Sequence, residues 1–323
     1  MSWSVSCGIV TQRRCRARRN HARRRAAAAP SRLLRAGCYH LIVPELPEVE
    51  SVRRRLQPAM THARFEQVVV RRPDLRAPFP RHFVERLVGQ AVLAVNRRAK
   101  YLVVPLSSSE TLVMHLGMSG SFRVGMKMAP DDRPTGTLID TVARHDHVEF
   151  RMSSGAVVTF NDPRRFGFMD LLSLEALGNH PVLSRLGPEP LSTEFDAAAL
   201  ASACARRKTS LKVALLDQRV VAGLGNIYAS EALHVARLSP QRRASTIATA
   251  TGLPRPTAFR LTAAIKQVLC EAIDRVSGAA YRSSRFRVYD REGERCPRRA
   301  CTGTIRRRTQ AGRSTFFCPV CQR

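Results

Sequence analysis

Between residues 65 and 170, apolar and polar side chains alternate with a period close to two. The segments FEQVVVRR, AVLAVNRR, KYLVVPL, TLVMHLGMSG, HVEFRM and AVVTFND are short, rich in valine and separated by Gly, Ser or Pro clusters. This pattern predicts six or more strands of an antiparallel sandwich. MSSGAV at 152–157 predicts a hairpin turn. Upstream, Val49, Val52 and Leu56 fall on one helical face, and Pro47 suits a first turn, where its missing N–H goes unused. A helix from about Pro47 to Leu56 follows. Pro44 and Glu45 then lie just outside it, with no packing reason for either. In the plainest account Glu45 and Glu48 are carboxylates near a positive helix end.

The pattern breaks at GNHPVLSRLGPEPLS (178–192), a Pro-bearing stretch that reads as an interdomain linker. Beyond it the period becomes helical. Leu261, Ile265, Leu269, Ile273 and Val276 form one stripe, and Gly278 stands where a helix C-terminus wants it. The chain therefore divides into a basic extension (1–43), a β-sandwich (44–177), the linker (178–192), a helical domain (193–285) and a small C-terminal segment (286–323).

Charge narrows the function class. The 323 residues carry a formal charge of +29, which points to a polyanionic partner such as nucleic acid or an anionic surface. No run of about 18 apolar residues exists, so no membrane-spanning helix is expected. Residues 1–43 hold ten arginines and no Asp or Glu. Such a segment is a disordered nucleic-acid arm, an Arg-rich organelle address, or a stretch that is never translated.

Four of the nine cysteines lie in the last 28 residues. Cys296, Cys301, Cys318 and Cys321 give C-x4-C-x16-C-x2-C. Two close thiol pairs suit one tetrahedral Zn2+, and so small a segment needs such a staple to fold. The metal would be structural, because four protein ligands leave no open position. Disulfides are the competing explanation, disfavoured by five further scattered cysteines and a chain expected in the cytoplasm. The basic turn between the pairs would project Arg313 toward phosphates.

Taken in order, PELPEVE (44–50), RRAKYL (97–102), HLGMSGSFR (115–123), HDHVEF (145–150), NDPRRFG (161–167), GLGNIYASEAL (223–233) and the terminal cysteines resemble the formamidopyrimidine-DNA glycosylase family of bacterial base-excision repair. The resemblance runs over essentially all of 44–323. It implies an α+β multidomain protein, with an N-terminal antiparallel β-sandwich, a helical helix–two-turn–helix domain and a C-terminal zinc ribbon. It also implies damaged double-stranded DNA as partner, no membrane, a monomer, and excision of oxidised purines with abasic-site lyase activity.

Each site residue follows by position. Pro44 matches the nucleophile, whose nitrogen attacks C1′ of the damaged nucleotide. Glu45 matches the acid–base group at the sugar ring oxygen, and Glu48 a second active-site carboxylate. Lys100 matches a lysine that assists elimination or holds a phosphate; standing alone, it would read as a strand-edge charge. Met118, Arg164 and Phe166 match residues that fill the hole left by the everted base. Alone, Met118 and Phe166 would read as core and Arg164 as a surface charge, although Pro163 and Gly167 mark an exposed loop. His145 and Asn226 match phosphate contacts, with Gly223 and Gly225 letting helix-start N–H groups approach a phosphate. Lys208 is a weaker candidate for the same task.

Two departures stand out. The first cysteine pair is C-x4-C where the family has C-x2-C. The stretch 278–295 is shorter than the family's and lacks its TT segment, which leaves lesion preference open. Two other readings remain: the endonuclease VIII branch, against which PELPEVE and DPRRFG argue, and a catalytically silent DNA-binding zinc protein. Pro44 as written is bonded to Val43, and a tertiary amide nitrogen is no nucleophile. The expectation is that translation starts at a GTG codon at position 43 and that removal of the initiator exposes Pro44. Proteolytic exposure, as after a targeting peptide, is the alternative.

Overall fold

Helix α1 (Leu46–Met60) has Glu45 as its N-cap and Pro47 in its first turn. A computed structural model describes residues 43–126, 144–276 and 286–323, all within one folded unit. The apolar stripe of α1 is the expected one, with Val49, Val52 and Leu56 buried, and it extends to Met60 because Ala59 and Met60 also enter the sandwich core. Pro58 stands in the last turn, where its missing N–H costs the helix one bond to the carbonyl four residues earlier.

Among the described residues, eight strands make the sandwich: β1 (Phe65–Val70), β2 (Asn96–Arg98), β3 (Tyr101–Pro105), β4 (Glu110–His115), β5 (Ser121–Met126), β6 (Asp146–Met152), β7 (Ala156–Asn161) and β8 (Phe168–Ser173). They form two four-stranded sheets, ordered β1-β6-β7-β5 and β2-β3-β4-β8, with antiparallel pairing throughout. The β6–β7 turn falls at 153–155, where Gly155 adopts φ +79°. In AVLAVNRR only three residues join the ladder as β2. Val92 and Val95 are buried without belonging to a strand, and Val92 makes only an isolated bridge to Leu106. The pattern also passed over β5 and β8, whose sequences alternate weakly; Phe122 is the only buried residue of β5. Helix α2 (Phe83–Leu87) lies between β1 and β2 in the chain, and α3 (Leu174–Gly178) follows β8.

The helical part comprises α4 (Ala197–Cys204), α5 (Leu211–Leu216), α6 (Asn226–Val235) and α7 (Pro256–Val276). It has its own core, in which Leu200, Leu215, Ile227 and Leu233 meet Leu261, Ile265 and Leu269 of α7. Of the predicted α7 stripe, Ile273 is also buried and Val276 half-buried; Gly278 lies outside the described residues. The Ser51 hydroxyl of α1 donates to the Val276 carbonyl at 3.4 Å.

The C-terminal segment is a hairpin of β9 (Arg306–Gln310) and β10 (Arg313–Phe317) over a small core of Val288, Ile305 and Phe316. Its two-residue turn, Ala311-Gly312, has φ +47° and +72°, the doubly left-handed turn that matches strand twist. Entry into this segment is fixed from α6. The buried Glu231 carboxylate accepts N–H bonds from Arg287, Val288 and Tyr289 at 2.8, 2.8 and 3.0 Å. Among the described residues, no helix is long and apolar enough to cross a membrane.

Candidate active site

The first four N–H groups of a helix have no partner within it, and they attract negative charge. At α6 those groups receive the Glu45 carboxylate. Ile227 N–H donates to Oε1 at 2.8 Å and Tyr228 N–H to Oε2 at 3.3 Å. Glu45 is 2% exposed. The GLGN turn brings α1 and α6 together through its two glycines. Leu46 N–H donates to the Gly223 carbonyl at 3.2 Å, and a Cβ on Gly223 would meet the Leu46 side chain at 2.7 Å. The glycines therefore make room for Leu46 and Glu45, so two helix-start N–H groups expected to face a phosphate are occupied by a carboxylate of the protein.

Glu48 lies beside Glu45. Its Oε2 accepts the Glu45 N–H at 3.0 Å and its Oε1 accepts the Tyr228 hydroxyl at 2.6 Å. Burial pushes the Glu48 carboxyl up to about 6; the Tyr228 hydrogen bond pulls it back and the Glu45 charge adds to the rise. Burial also raises Glu45 above the usual carboxylate range, against the Lys100 charge and the α6 N–H bonds. Lys100, half-buried, is the cation of the group. Burial lowers its pKa, Glu45 opposes this most strongly, Arg313 lowers it further and Glu48 opposes again.

Lys100 is aimed by a turn the sequence did not explain. Ala99 is fully buried at φ +53°, a conformation unfavourable to residues with a Cβ. Glu189 of the 178–192 stretch accepts its N–H at 2.5 Å and bonds both Arg97 and Arg98, at 2.8 and 2.9 Å. Arg97 also reaches Glu50 of α1 at 3.1 Å. The RR of RRAK thus holds the turn to α1 and to the linker.

Asn226 opens α6, and its amide is used internally. Oδ1 accepts from Lys212 Nζ at 2.6 Å, and Nδ2 donates to the Ser314 carbonyl at 3.0 Å. Lys212 is fully buried and also donates to Ser314 O at 2.9 Å and Thr315 Oγ1 at 2.8 Å, tying α5 and α6 to β10. Burial brings its pKa down to about 8, with Glu45 opposing and Arg313 adding. Sequence reasoning did not single out Lys212; Lys208, its candidate for a phosphate contact, is exposed on the α4–α5 connection. Arg313 is exposed beside the ribbon turn, where its charge acts on both Lys100 and Lys212.

A second cluster forms on two loops of the sandwich. The fully buried Asp162 takes Ser119 Oγ at 2.5 Å, Arg164 N–H at 3.3 Å and Gly167 N–H at 2.8 Å. A Cβ on Gly117, itself at φ +63°, would lie 2.3 Å from the Phe166 carbonyl carbon, so the loops touch backbone to backbone. Met118 is half-buried, Arg164 is exposed, and Phe166 is 41% exposed with the Arg164 guanidinium 4.8 Å over its ring. The structure thus exposes Arg164 and Phe166 and leaves Met118 outside the sealed core. His145 is half-buried next to this cluster, its carbonyl accepting the Asp162 N–H at 3.0 Å.

The four cysteine sulfurs lie within 4.8 Å of one another. Cys296 and Cys321 are 3.8 Å apart and Cys301 and Cys318 3.7 Å. Four sulfurs about 2.3 Å from a tetrahedral ion are about 3.8 Å apart, so the set fits one. The 278–295 stretch, singled out for its length, falls partly on 277–285, which lie outside the described residues.

Known proteins can now be set beside this geometry. Residues 43–169 match the formamidopyrimidine-DNA glycosylase N-terminal domain and residues 186–283 the H2TH domain of the same family. Formamidopyrimidine-DNA glycosylases of Nitrobacter winogradskyi and Bradyrhizobium diazoefficiens are 56% and 55% identical, over 87% of this chain and 100% of theirs. The Lactococcus lactis formamidopyrimidine-DNA glycosylase bound non-covalently to abasic-site DNA superposes with a TM-score of 0.72 at 28% identity, covering 87% of this chain and 100% of that one. MutM in complex with DNA containing carbocyclic 8-oxo-G gives 0.71 at 30% identity, with the same coverage. Two consecutive domain models and relatives matched from end to end agree with the fold and with the motif order: the chain belongs to the formamidopyrimidine-DNA glycosylase family.

Proposed function

We propose that this glycosylase is bifunctional, excising oxidised purines such as formamidopyrimidines and 8-oxoguanine and then cutting the strand as an abasic-site lyase. The observation that carries this reading is the Glu45 carboxylate, next to Pro44, buried at the α6 N-terminus with the Lys100 charge beside it. A proline α-nitrogen is nucleophilic only as a free secondary amine; in a Val43–Pro44 amide its lone pair is delocalised. The working enzyme therefore begins at Pro44.

The Pro44 nitrogen pair forms a bond to C1′ and the base leaves with the glycosidic pair. The bonded nitrogen gives up its N–H proton, and the pair this frees forms the C=N bond of an iminium as the C1′–O4′ bond breaks and O4′ takes a proton. Glu45 is the proton donor at O4′, a role its raised pKa suits. Loss of a C2′ proton expels the 3′ phosphate by β-elimination, and δ-elimination expels the 5′ phosphate. Lys100 assists there, and burial, which lowers its pKa, makes its proton easier to give up. Met118, Arg164 and Phe166 fill the vacated stack. His145, Lys208, Asn226 and Arg313 serve phosphates. Cys296, Cys301, Cys318 and Cys321 hold one Zn2+ that supplies shape rather than chemistry. The protein acts as a monomer in the bacterial cytoplasm.

Borohydride trapping on abasic-site DNA tests the chemistry, since only an amine catalyst leaves an iminium to reduce. Protein beginning at Pro44 is expected to give a covalent adduct, and protein retaining Val43 none. Equal trapping by both would move the nucleophile to another amine such as Lys100. Elemental analysis tests the metal, with one zinc per chain expected and loss of DNA binding when Cys318 or Cys321 becomes Ser.

A further inference from the structure

The widened first knuckle contacts the same helix whose other end holds Glu45. In Cys296-Pro297-Arg298-Arg299-Ala300-Cys301, Arg298 Nη2 donates to the His234 carbonyl at 2.6 Å and lies 3.4 Å from the Val235 carbonyl. These are carbonyls of the last turn of α6, which lack partners within the helix and favour a cation. His234, 3% exposed on that turn, places Nε2 3.4 Å from the Cys296 sulfur. His234 does not belong to the mutually close metal-binding set, which contains the four cysteines alone among the described residues. It is therefore a neighbour of a ligand rather than a fifth ligand. Its Nδ1 is buried without a partner. A tautomer with the proton on Nδ1 would strand a buried N–H and leave Nε2 as a lone pair facing sulfur, whereas a proton on Nε2 gives sulfur a donor and strands only an acceptor.

We propose that His234 and Arg298 are positioning residues of the metal knuckle: His234 donates Nε2–H to the Cys296 thiolate, Arg298 locks the widened loop onto the end of α6, and together they slow loss of the metal. Metal-bound thiolates carry excess negative charge, and a buried donor that neutralises part of it fixes the ligand's orientation. The two additional residues of C-x4-C then have a use, since they include the arginine that reaches the helix. This rests on the cysteines holding zinc as proposed above, and metal analysis of the unsubstituted chain judges that reading separately.

The test uses the zinc-loaded full enzyme and measures transfer of zinc to an excess of chromogenic chelator, for His234→Phe, His234→Gln and the parent. Loss of an outer partner weakens metal binding about 10-fold or more, so His234→Phe is expected to release zinc about 10-fold faster. His234→Gln, which restores an N–H, should release it at close to the parent rate. Cobalt substitution gives the second readout. Removing the donor should shift the thiolate-to-cobalt charge-transfer band to longer wavelength in His234→Phe and leave it in place in His234→Gln. Should the phenylalanine not fit, His234→Met is the alternative donor-less variant. Arg298→Gln should also speed release, because Arg298 holds the α6 carbonyls and its side chain hydrogen-bonds the Cys321 thiol as well. Unchanged release and band in the donor-less variant, or His234→Gln behaving like it, overturns the role of His234. Unchanged release in Arg298→Gln overturns that of Arg298.

Discussion

A methyl group on Gly225 would lie 2.2 Å from the carboxylate carbon of Glu45 and within 2.6 Å of both its oxygens. The Gly225 backbone, at φ −126° and ψ −162°, is open to any residue, so Gly225→Ala changes the contact without straining the turn. Displacing a catalytic group by about 1 Å can cost about 100-fold in rate. Base excision and borohydride trapping should both fall by about that factor, with circular dichroism and zinc content unchanged. Full activity in this variant would remove the α6 cradle from the mechanism.

Under the proposed function, Glu48 is expected to trade stability against catalysis. Its carboxyl titrates at about 6 when folded against an ordinary value of 4.5, so the folded chain holds the additional proton between those values. Stability on this account is greatest below pH 4.5 and falls as pH rises through 6, by about 2 kcal/mol. Glu48→Gln keeps the acceptor for Tyr228, gives up the one for the Glu45 N–H, which offsets part of the gain, and removes the charge. Denaturant titration should find it more stable than the parent by up to about 2 kcal/mol at pH 7.5, with the difference vanishing near pH 4.5 and activity reduced throughout. A constant difference across that range would refute the assignment.

Lys212 should matter through the ribbon. Lys212→Met removes a shared donor from Asn226 Oδ1, Ser314 O and Thr315 Oγ1, and a bared buried acceptor costs about 1–3 kcal/mol. Loss of the buried charge offsets part of this. Amide exchange across 306–317 is expected to quicken, and affinity for abasic-site DNA to weaken about 10-fold, equivalent to about 1.4 kcal/mol. Exchange at parent rates would show that other contacts dock the hairpin.

Phe166→Ala separates eversion from sugar chemistry. An abasic nucleotide has no base to unstack, so it needs less from a wedge than an intact lesion does. Excision of a damaged base should drop about 10-fold while cleavage of preformed abasic DNA changes little. Equal losses on both substrates would make Phe166 a structural residue of the loop that Asp162 organises.

The sandwich and the long helix were legible because each buries one face, and a buried face writes its period into the sequence. Strand β5 was not, because only Phe122 in it is buried. The motif residues Glu45, Glu48 and Lys100 could be found by order along the chain, but the cradle of Glu45 could not, since the N–H groups it needs are at 227 and 228. Lys212 shows the same limit. Leu211, Ala214 and Leu215 mark the buried face of α5; Lys212 is buried beside them, with its ammonium held by Asn226 of α6 and by a hairpin more than a hundred residues later. Nothing local distinguishes it from Lys208.

Glu231 has an evolutionary consequence. By gripping three successive N–H groups at 287–289, it makes the start of the ribbon independent of whatever precedes it, while Ser51 marks the other margin at Val276. Residues gained or lost between those two anchors are expected to leave the hairpin, the metal knuckle and Arg313 in place.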